Sequence, residues 1–321
     1  MKWLISGSGG YIGSHLLREL ADDKESFLPL AGKSISSERR LNFLNVKGLK
    51  VDITNRKSTL DIFREYKPDV VVHLASLKSP EESNRFPDLY INNNLETLSS
   101  VFNASLESGA KVFINTSSSA VYGNLDSDKI HEKDIGKPIS FYGHSKKNGE
   151  LFLDNFKNSD ISISSLRLFN VVGSRDPNIG ETANFHLVPS TIQRIASGKG
   201  PLIYGHHLPT KDGTPIRDYI HVVDVVKAII TLARFMITNT VNFSATNHLK
   251  MNIGSGFGTS VLEIATLIQN QMNTNYEPMY VSSRSGDPVK SVADISLASK
   301  SIGFKSNYEI EEIISSCFSG L

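Results

Sequence analysis

Three glycines spaced three residues apart constrain this chain more than any other feature. They are Gly7, Gly10 and Gly13 in ISGSGGYIGSHLL, where a short apolar run, WLIS (3–6), gives way to a helical stripe of Ile12, Leu16, Leu17 and Leu20. Small residues at such a strand-to-helix turn let the backbone approach a pyrophosphate, and the helix N-terminus offers unpaired N–H groups and positive dipole charge. The spacing is GxxGxxG; Ile12 stands where GxGxxG would end. A glycine turn that binds nothing is the plain alternative, and the position between first strand and first helix favours a dinucleotide.

The rest of the first half agrees with that opening. The runs FLPL (27–30), DVVVHLA (69–75), KVFINT (111–116) and ISISSLRL (161–168) read as strands, and Leu60, Ile62, Phe63 and Tyr66 mark a helix between two of them. Strands alternating with helices imply an α/β fold with a doubly wound, mostly parallel sheet. From about Asn170 Gly and Pro become frequent, which predicts a smaller mixed α/β lobe over the carboxyl edge of the sheet. The expected division is 1–169 for dinucleotide binding and 170–321 for substrate. A return helix near 221–236, carrying Val222, Val225, Val226, Ile229 and Leu232, is expected to pack back on the first lobe. A second helix is expected on Val261, Ile264, Ala265 and Ile268, with Ser260 and Glu263 at capping-box spacing.

Composition excludes several classes. With 321 residues, 34 Lys and Arg, and 33 Asp and Glu, the formal net charge is +1, and no bulk electrostatic case exists for nucleic acid or an anionic membrane. One cysteine, Cys317, rules out an internal disulfide and a multi-cysteine metal site, and no metal is expected. The start MKWLISGSGG lacks the pattern of a signal peptide, and no apolar stretch reaches the ~20 residues of a membrane span. A cytoplasmic protein is the default expectation.

Chemistry enters with a serine run, Ser117, Ser118 and Ser119, at the end of a strand, followed by FYGHSKK (141–147). Tyr142 and Lys146 are four apart, so on a helix they share a face. A lysine ammonium beside a phenol favours phenolate, lowering the tyrosine pKa from about 10 and fitting it to act as a general base on a sugar or alcohol hydroxyl. A Tyr-x-x-x-Lys pair alone is more often surface decoration. Behind a glycine loop and beside a serine cluster, it reads as catalytic.

These motifs resemble the extended short-chain dehydrogenase/reductase superfamily, whose Rossmann fold binds a nicotinamide cofactor. GYIGSH (10–15), VYG (121–123), LRLFNVVG (166–173), DGTPIRDYIHVVDV (212–225), MNIGSGFGTSVLEI (251–264) and RSGD (284–287) are similar in order and spacing to UDP-glucose 4-epimerases. The resemblance covers nearly the whole chain. It implies an NAD-dependent isomerase of UDP-hexoses acting through a transient 4-keto sugar, with Ser118, Tyr142 and Lys146 as catalytic residues. It sets the cofactor against Gly7, Gly10, Tyr11, Ile12, Gly13, Asp52, Ile53, Leu74, Ala75, Lys78, Asn93, Tyr142 and Lys146. It sets the UDP-sugar against Ser118, Asn170, His186, Leu187, Tyr204, Arg217, Arg284, Asp287 and Ser291. The arginines have an independent rationale, because guanidinium forks suit a diphosphate. Ser291 is small where relatives carry either a bulky aromatic or a small residue, which implies room for an N-acetyl group. A homodimer through the helix near 88–108 and the helix carrying Tyr142 is inherited from the resemblance.

Three alternatives stay open at this level. A dehydratase would need an Asp-Glu pair where Ser118 and Ser119 stand, and is disfavoured. A 4-reductase would release its cofactor each turnover. A non-enzymatic cofactor-binding protein is the third, and the intact Ser118, Tyr142 and Lys146 argue against it. One position departs from the family pattern: Ala31 stands where a carboxylate usually holds the adenosine ribose. Either the strand is displaced and Lys33, Ser34 or Ser36 meets the ribose, or, with the carboxylate lost and Lys33, Arg39 and Arg40 near, NADP becomes admissible beside NAD, the first choice. Pro29 is also odd for a central strand, because it removes a ladder donor.

Overall fold

In a computed structural model of the chain, residues 1–156, 159–239, 248–283 and 288–319 are described. Seven parallel strands form the main sheet. In chain order the first six are β1 (Lys2–Ser6), β2 (Ser26–Ala31), β3 (Leu49–Lys50), β4 (Val70–His73), β5 (Val112–Ser118) and β6 (Ser162–Leu168). After them come β7 (Asn170–Val172), β8 (Leu202–Tyr204), β9 (Ile216–His221) and β10 (His248–Ile253), then β11 (Gly258–Ser260), β12 (Met279–Val281) and β13 (Lys290–Ser291). The main sheet runs β10-β6-β5-β4-β1-β2-β3, so the chain starts in the middle and winds outward both ways.

Alternation along the strands explains the two layers of helices. Trp3, Ile5, Val70, Val72, Val112 and Ile114 face one side, where helices α1 (Tyr11–Asp22) and α2 (Ile35–Phe43) lie. Leu4, Val71, Phe113 and Ile163 face the other side. That side is covered by α3 (Arg56–Tyr66) and, beyond a short α4 (Pro80–Arg85), by α5 (Pro87–Glu107) and α6 (Phe141–Asp154). Strands buried on both faces read as continuous apolar runs, as DVVVHLA does.

Past residue 170 a further helix, α7 (Leu187–Ala196), stands among the small strands, and the chain twice returns to the main sheet. Helix α8 (Val222–Thr238) lays Val225, Val226, Ile229 and Leu232 on the α1 side of the core, as the stripe predicts. Strand β10 then pairs with β6 over six positions and becomes the seventh strand, which the sequence pattern did not reveal. The helix Val261–Gln271 begins with the expected capping box, Ser260 and Glu263 each bonding the other's backbone N–H.

Pro29 finds its explanation here. Strand β3 is two residues long and pairs only with Leu30 and Ala31. At Pro29 strand β2 is paired with β1 alone, so it is an edge there and a missing donor costs nothing.

Candidate active site

The glycine loop has no room for side chains. Gly7 has φ +72, and a Cβ there would lie 2.6 Å from the Ala75 nitrogen and 2.9 Å from the Leu74 carbonyl carbon. A Cβ on Gly13 would lie 2.5 Å from the Gly7 oxygen. The loop is thus pressed between β1 and the turn after β4. Helix α1 starts beyond it with no side-chain cap and no acidic residue in its first turn, so the N–H groups of Tyr11, Ile12 and Gly13 stand at an uncompensated positive helix end. This cradle fits the phosphates of a dinucleotide. Lys78 lies on the same turn after β4 and is ion-paired with Glu181. Burial works against the Glu181 charge, but Lys78, His186 and backbone N–H bonds hold its pKa down to about 2.

At the end of β2 the expected departure is real. Ala31 is buried, and Gly32 and Lys33 behind it are exposed. Ser34 is not free for a ribose, because its hydroxyl caps α2 by accepting from the Ser37 N–H at 3.2 Å. Arg40 turns away from any ribose phosphate: its guanidinium donates to the Ile179 oxygen at 3.2 Å and the Gly180 oxygen at 2.7 Å. Asp52 is exposed and accepts from the Thr54 N–H and hydroxyl, which holds its carboxyl below the usual range. Ile53 packs at the rim of the second core layer.

The serine, tyrosine and lysine come together as expected, because α6 is pressed onto the turn after β5. A Cβ on Gly143 would stand 2.5 Å from the Ala120 oxygen, so only glycine allows that approach. Ser118 hydrogen-bonds Tyr142. Lys146, buried one helical turn on, donates to the Thr116 oxygen at 2.8 Å, with its ammonium 5.9 Å from the Tyr142 ring centre. One electrostatic expectation is corrected. Burial raises the Tyr142 pKa, opposed by the Ser118 hydrogen bond, rather than Lys146 lowering it. The physical reason is that the ammonium is spent on a carbonyl and is itself pushed down to about 8 by burial, against the pull of Glu150.

Beneath this set lies a buried network that the motifs did not reveal. Arg167 on β6 grips Glu150 with two bonds of 2.9 and 2.6 Å, and also donates to the Tyr122 hydroxyl at 2.8 Å. Ser117 donates to Glu150 at 2.6 Å, and Tyr122 donates to Asn252 on β10 at 2.7 Å. Asn94 was missed as well. Asn93 beside it is half-buried, while Asn94 bonds both the N–H and the oxygen of Leu77 and the Ser145 hydroxyl, tying the turn after β4 to α6. A small polar cavity between them is lined by His73, Ala75, Asn94, Asn115 and Lys146. It links the glycine loop, through Ala75, to the lysine.

Of the expected substrate residues, Asn170, Arg217 and Ser291 share one small sheet. Strand β9 is the organiser: Asn170 on β7 is in register with Tyr219, and Ser291 on β13 is in register with Arg217. Asn170 donates to the Asp218 oxygen at 3.2 Å, and Ser291 is buried. Tyr204 ends β8 on a separate ribbon with β12. His186 stands 3.7 Å from Glu181 at the start of α7, its pKa pushed down to about 4 by burial and by Lys78, and Leu187 begins that helix. Arg284 and Asp287 lie outside the described residues. Among the described residues, no group of three or more His, Cys, Asp or Glu could hold a metal, and no helix is long and apolar enough to cross a membrane.

A parallel sheet with a phosphate cradle after its first strand and a Ser–Tyr–Lys set after its fifth defines a dinucleotide-dependent enzyme. The chain belongs to the NAD dependent epimerase/dehydratase family, whose model matches residues 3–243. It is 32% identical to the UDP-glucose 4-epimerase of Drosophila melanogaster, over 97% of this chain and 93% of that one. The crystal structure of the Bifidobacterium longum UDP-glucose 4-epimerase in complex with NAD+ and UDP is similar with a TM-score of 0.88 at 29% identity, covering 99% of this chain and 97% of that one. The UDP-Glc/GlcNAc 4-epimerase of Campylobacter jejuni is similar with a TM-score of 0.83 at 28% identity, covering 99% and 98%.

Proposed function

We propose that this chain is a cytoplasmic UDP-hexose 4-epimerase that interconverts UDP-glucose with UDP-galactose and UDP-GlcNAc with UDP-GalNAc on bound NAD. The observation that carries the reading is the Ser118, Tyr142 and Lys146 set at the end of β5, with serines where a dehydratase would carry its carboxylates. Bound NAD supplies a hydride acceptor and donor for the sugar C4. Tyr142 takes the proton of the 4-hydroxyl, with Ser118 bonded to the same phenol, and returns a proton after the 4-keto sugar has presented its other face. Arg217 and Arg284 hold the diphosphate while the hexose turns. Asn170, His186, Leu187 and Tyr204 line the nucleotide, and Asp287 meets its ribose. The family membership and the Bifidobacterium and Campylobacter neighbours support the reaction class and the cofactor.

One assay tests it. The purified chain is given UDP-glucose, UDP-GlcNAc or UDP-glucuronate with no added cofactor, and products are resolved. The expected result is 4-epimers of the first two. No epimer from any of the three, but oxidation of NADPH when a UDP-4-keto sugar is supplied as substrate, would replace the epimerase by a reductase. For the acetylated pair Ser291 is the expected determinant. Its tyrosine variant should lose UDP-GlcNAc turnover and keep UDP-glucose turnover; full activity on both pairs would remove the pocket argument.

Association is expected through α5 and α6. These helices and their approaches expose Phe86, Leu89, Phe141 and Leu151, an apolar set that a second copy would cover. Sedimentation should give a dimer that Leu151→Glu dissociates. A monomer at all concentrations would refute this face as an interface.

A further inference from the structure

The loss of the ribose carboxylate at position 31 leaves the adenosine end of the cleft without its usual grip, and the structure offers a replacement. Residues 173–182 leave β7 and are tied to three elements that adjoin the glycine loop. On α1, the Tyr11 hydroxyl donates to the Gly173 oxygen at 2.5 Å, the His15 ring lies 3.2 Å from the Ser174 hydroxyl, and Arg175 pairs with Glu19 and with Asp22. At the turn after β4, Lys78 pairs with Glu181. On α2, Arg40 is 3% exposed and donates to the Ile179 and Gly180 oxygens and, at 3.4 Å, to the Thr182 hydroxyl. Its guanidinium also stands 4.0 Å from Glu181.

Helix α2 is itself fixed to the cradle. Ser37, one turn before Arg40, presses so closely on the glycine loop that a Cβ on Gly9 would stand 1.8 Å from its hydroxyl oxygen. Helix α2 therefore joins the glycine loop to the segment 173–182. A guanidinium that serves backbone oxygens with a rigid fork fixes the segment in one geometry, which a lysine could not do.

We propose that residues 173–182 are a strap closed over the adenosine half of the dinucleotide, and that Arg40 is its clasp. The strap takes over the retention that a carboxylate at position 31 would otherwise give. This rests on the NAD site assigned above. An epimerase ends each cycle with its cofactor in the state in which it began, so enclosure of the cofactor does not limit turnover.

The test is exchange of the bound cofactor. The purified holoprotein is mixed with excess isotopically heavy NAD, and the light NAD left on the protein is followed by mass. Wild type should exchange slowly. Arg40→Met, which keeps the volume and removes the fork, should exchange at least tenfold faster while retaining epimerisation in saturating NAD. Arg40→Lys should exchange nearly as fast as Arg40→Met. Arg175→Met cuts a half-exposed mooring and is safe for folding; it should shift exchange in the same direction by a smaller factor. If folded Arg40→Met exchanges at the wild-type rate, the clasp is wrong. If Arg40→Met does not fold and Arg175→Met exchanges at the wild-type rate, the strap is wrong. A wild type that exchanges within seconds also overturns the strap and leaves the epimerase reading standing. A protein that epimerises nothing sinks that reading instead, and the exchange rates then still decide the strap.

Discussion

Phenylalanine at position 142 lowers epimerisation of UDP-glucose by about 10²–10⁴-fold and leaves the bound cofactor in place. The magnitude is that of a general acid–base group removed from a proton transfer. The ring keeps its packing on α6, so the loss falls on turnover rather than on binding. Without the phenol the neighbouring ionisable groups are otherwise engaged: Lys146 is bonded to the Thr116 oxygen, and Glu150 is held by Arg167 and Ser117. Steady-state kinetics with quantified bound NAD check this. A Tyr142→Phe protein within tenfold of wild type would remove Tyr142 from the reaction. Because burial raises the Tyr142 pKa, the basic form is scarce in acid, and kcat/KM should fall as pH is lowered.

Arg167→Met is the substitution with the largest expected effect on stability. It strips Glu150 of its two guanidinium bonds in a site where the carboxylate is 1% exposed. Removing one partner of a buried ion pair costs about 3–5 kcal/mol, because the remaining charge stays buried without compensation. The pair with Glu150→Gln should recover much of that loss, since a neutral amide needs less solvation. Urea unfolding of the two variants reads both effects. An Arg167→Met protein as stable as wild type would show that the network carries no net stabilisation. The variant also removes the charge that balances Glu150. Glu150 raises the Lys146 pKa, so the lysine should hold its proton to higher pH in the variant than in wild type.

How much of this was legible in the sequence follows from distance along the chain. The glycine loop, the Tyr142–Lys146 face and the Ser260 capping box are local patterns within a few residues, and each gave its structure directly. The buried runs of β1, β4 and β5 were equally plain, because strands covered on both faces need no alternation of polarity. The clasp was not legible. Arg40 meets Gly180 across 140 residues of chain, and Lys78 meets Glu181 across 103. In the sequence Arg39 and Arg40 stand side by side as cations near the cofactor, and nothing local marks Arg40 as bound to distant backbone oxygens. Asn94 hid among three consecutive asparagines, where only the burial of one side chain distinguishes it from its neighbours. Ala31 was visible as a departure, but the sequence could not say what takes its place.

Strand β10 carries a consequence for how the molecule is made. It pairs with β6 across 85 residues of intervening chain. A ribosome adding roughly 5–20 residues per second takes about 4–17 s to cover that distance. Through that interval the open edge of β6, with its unpaired amides and carbonyls, is available to any other extended chain. Arg167 and Tyr122 meanwhile wait for Asn252 to complete their network. The last strand of the main sheet to be synthesised is therefore the one that seals both that sheet and the buried charges beneath Lys146.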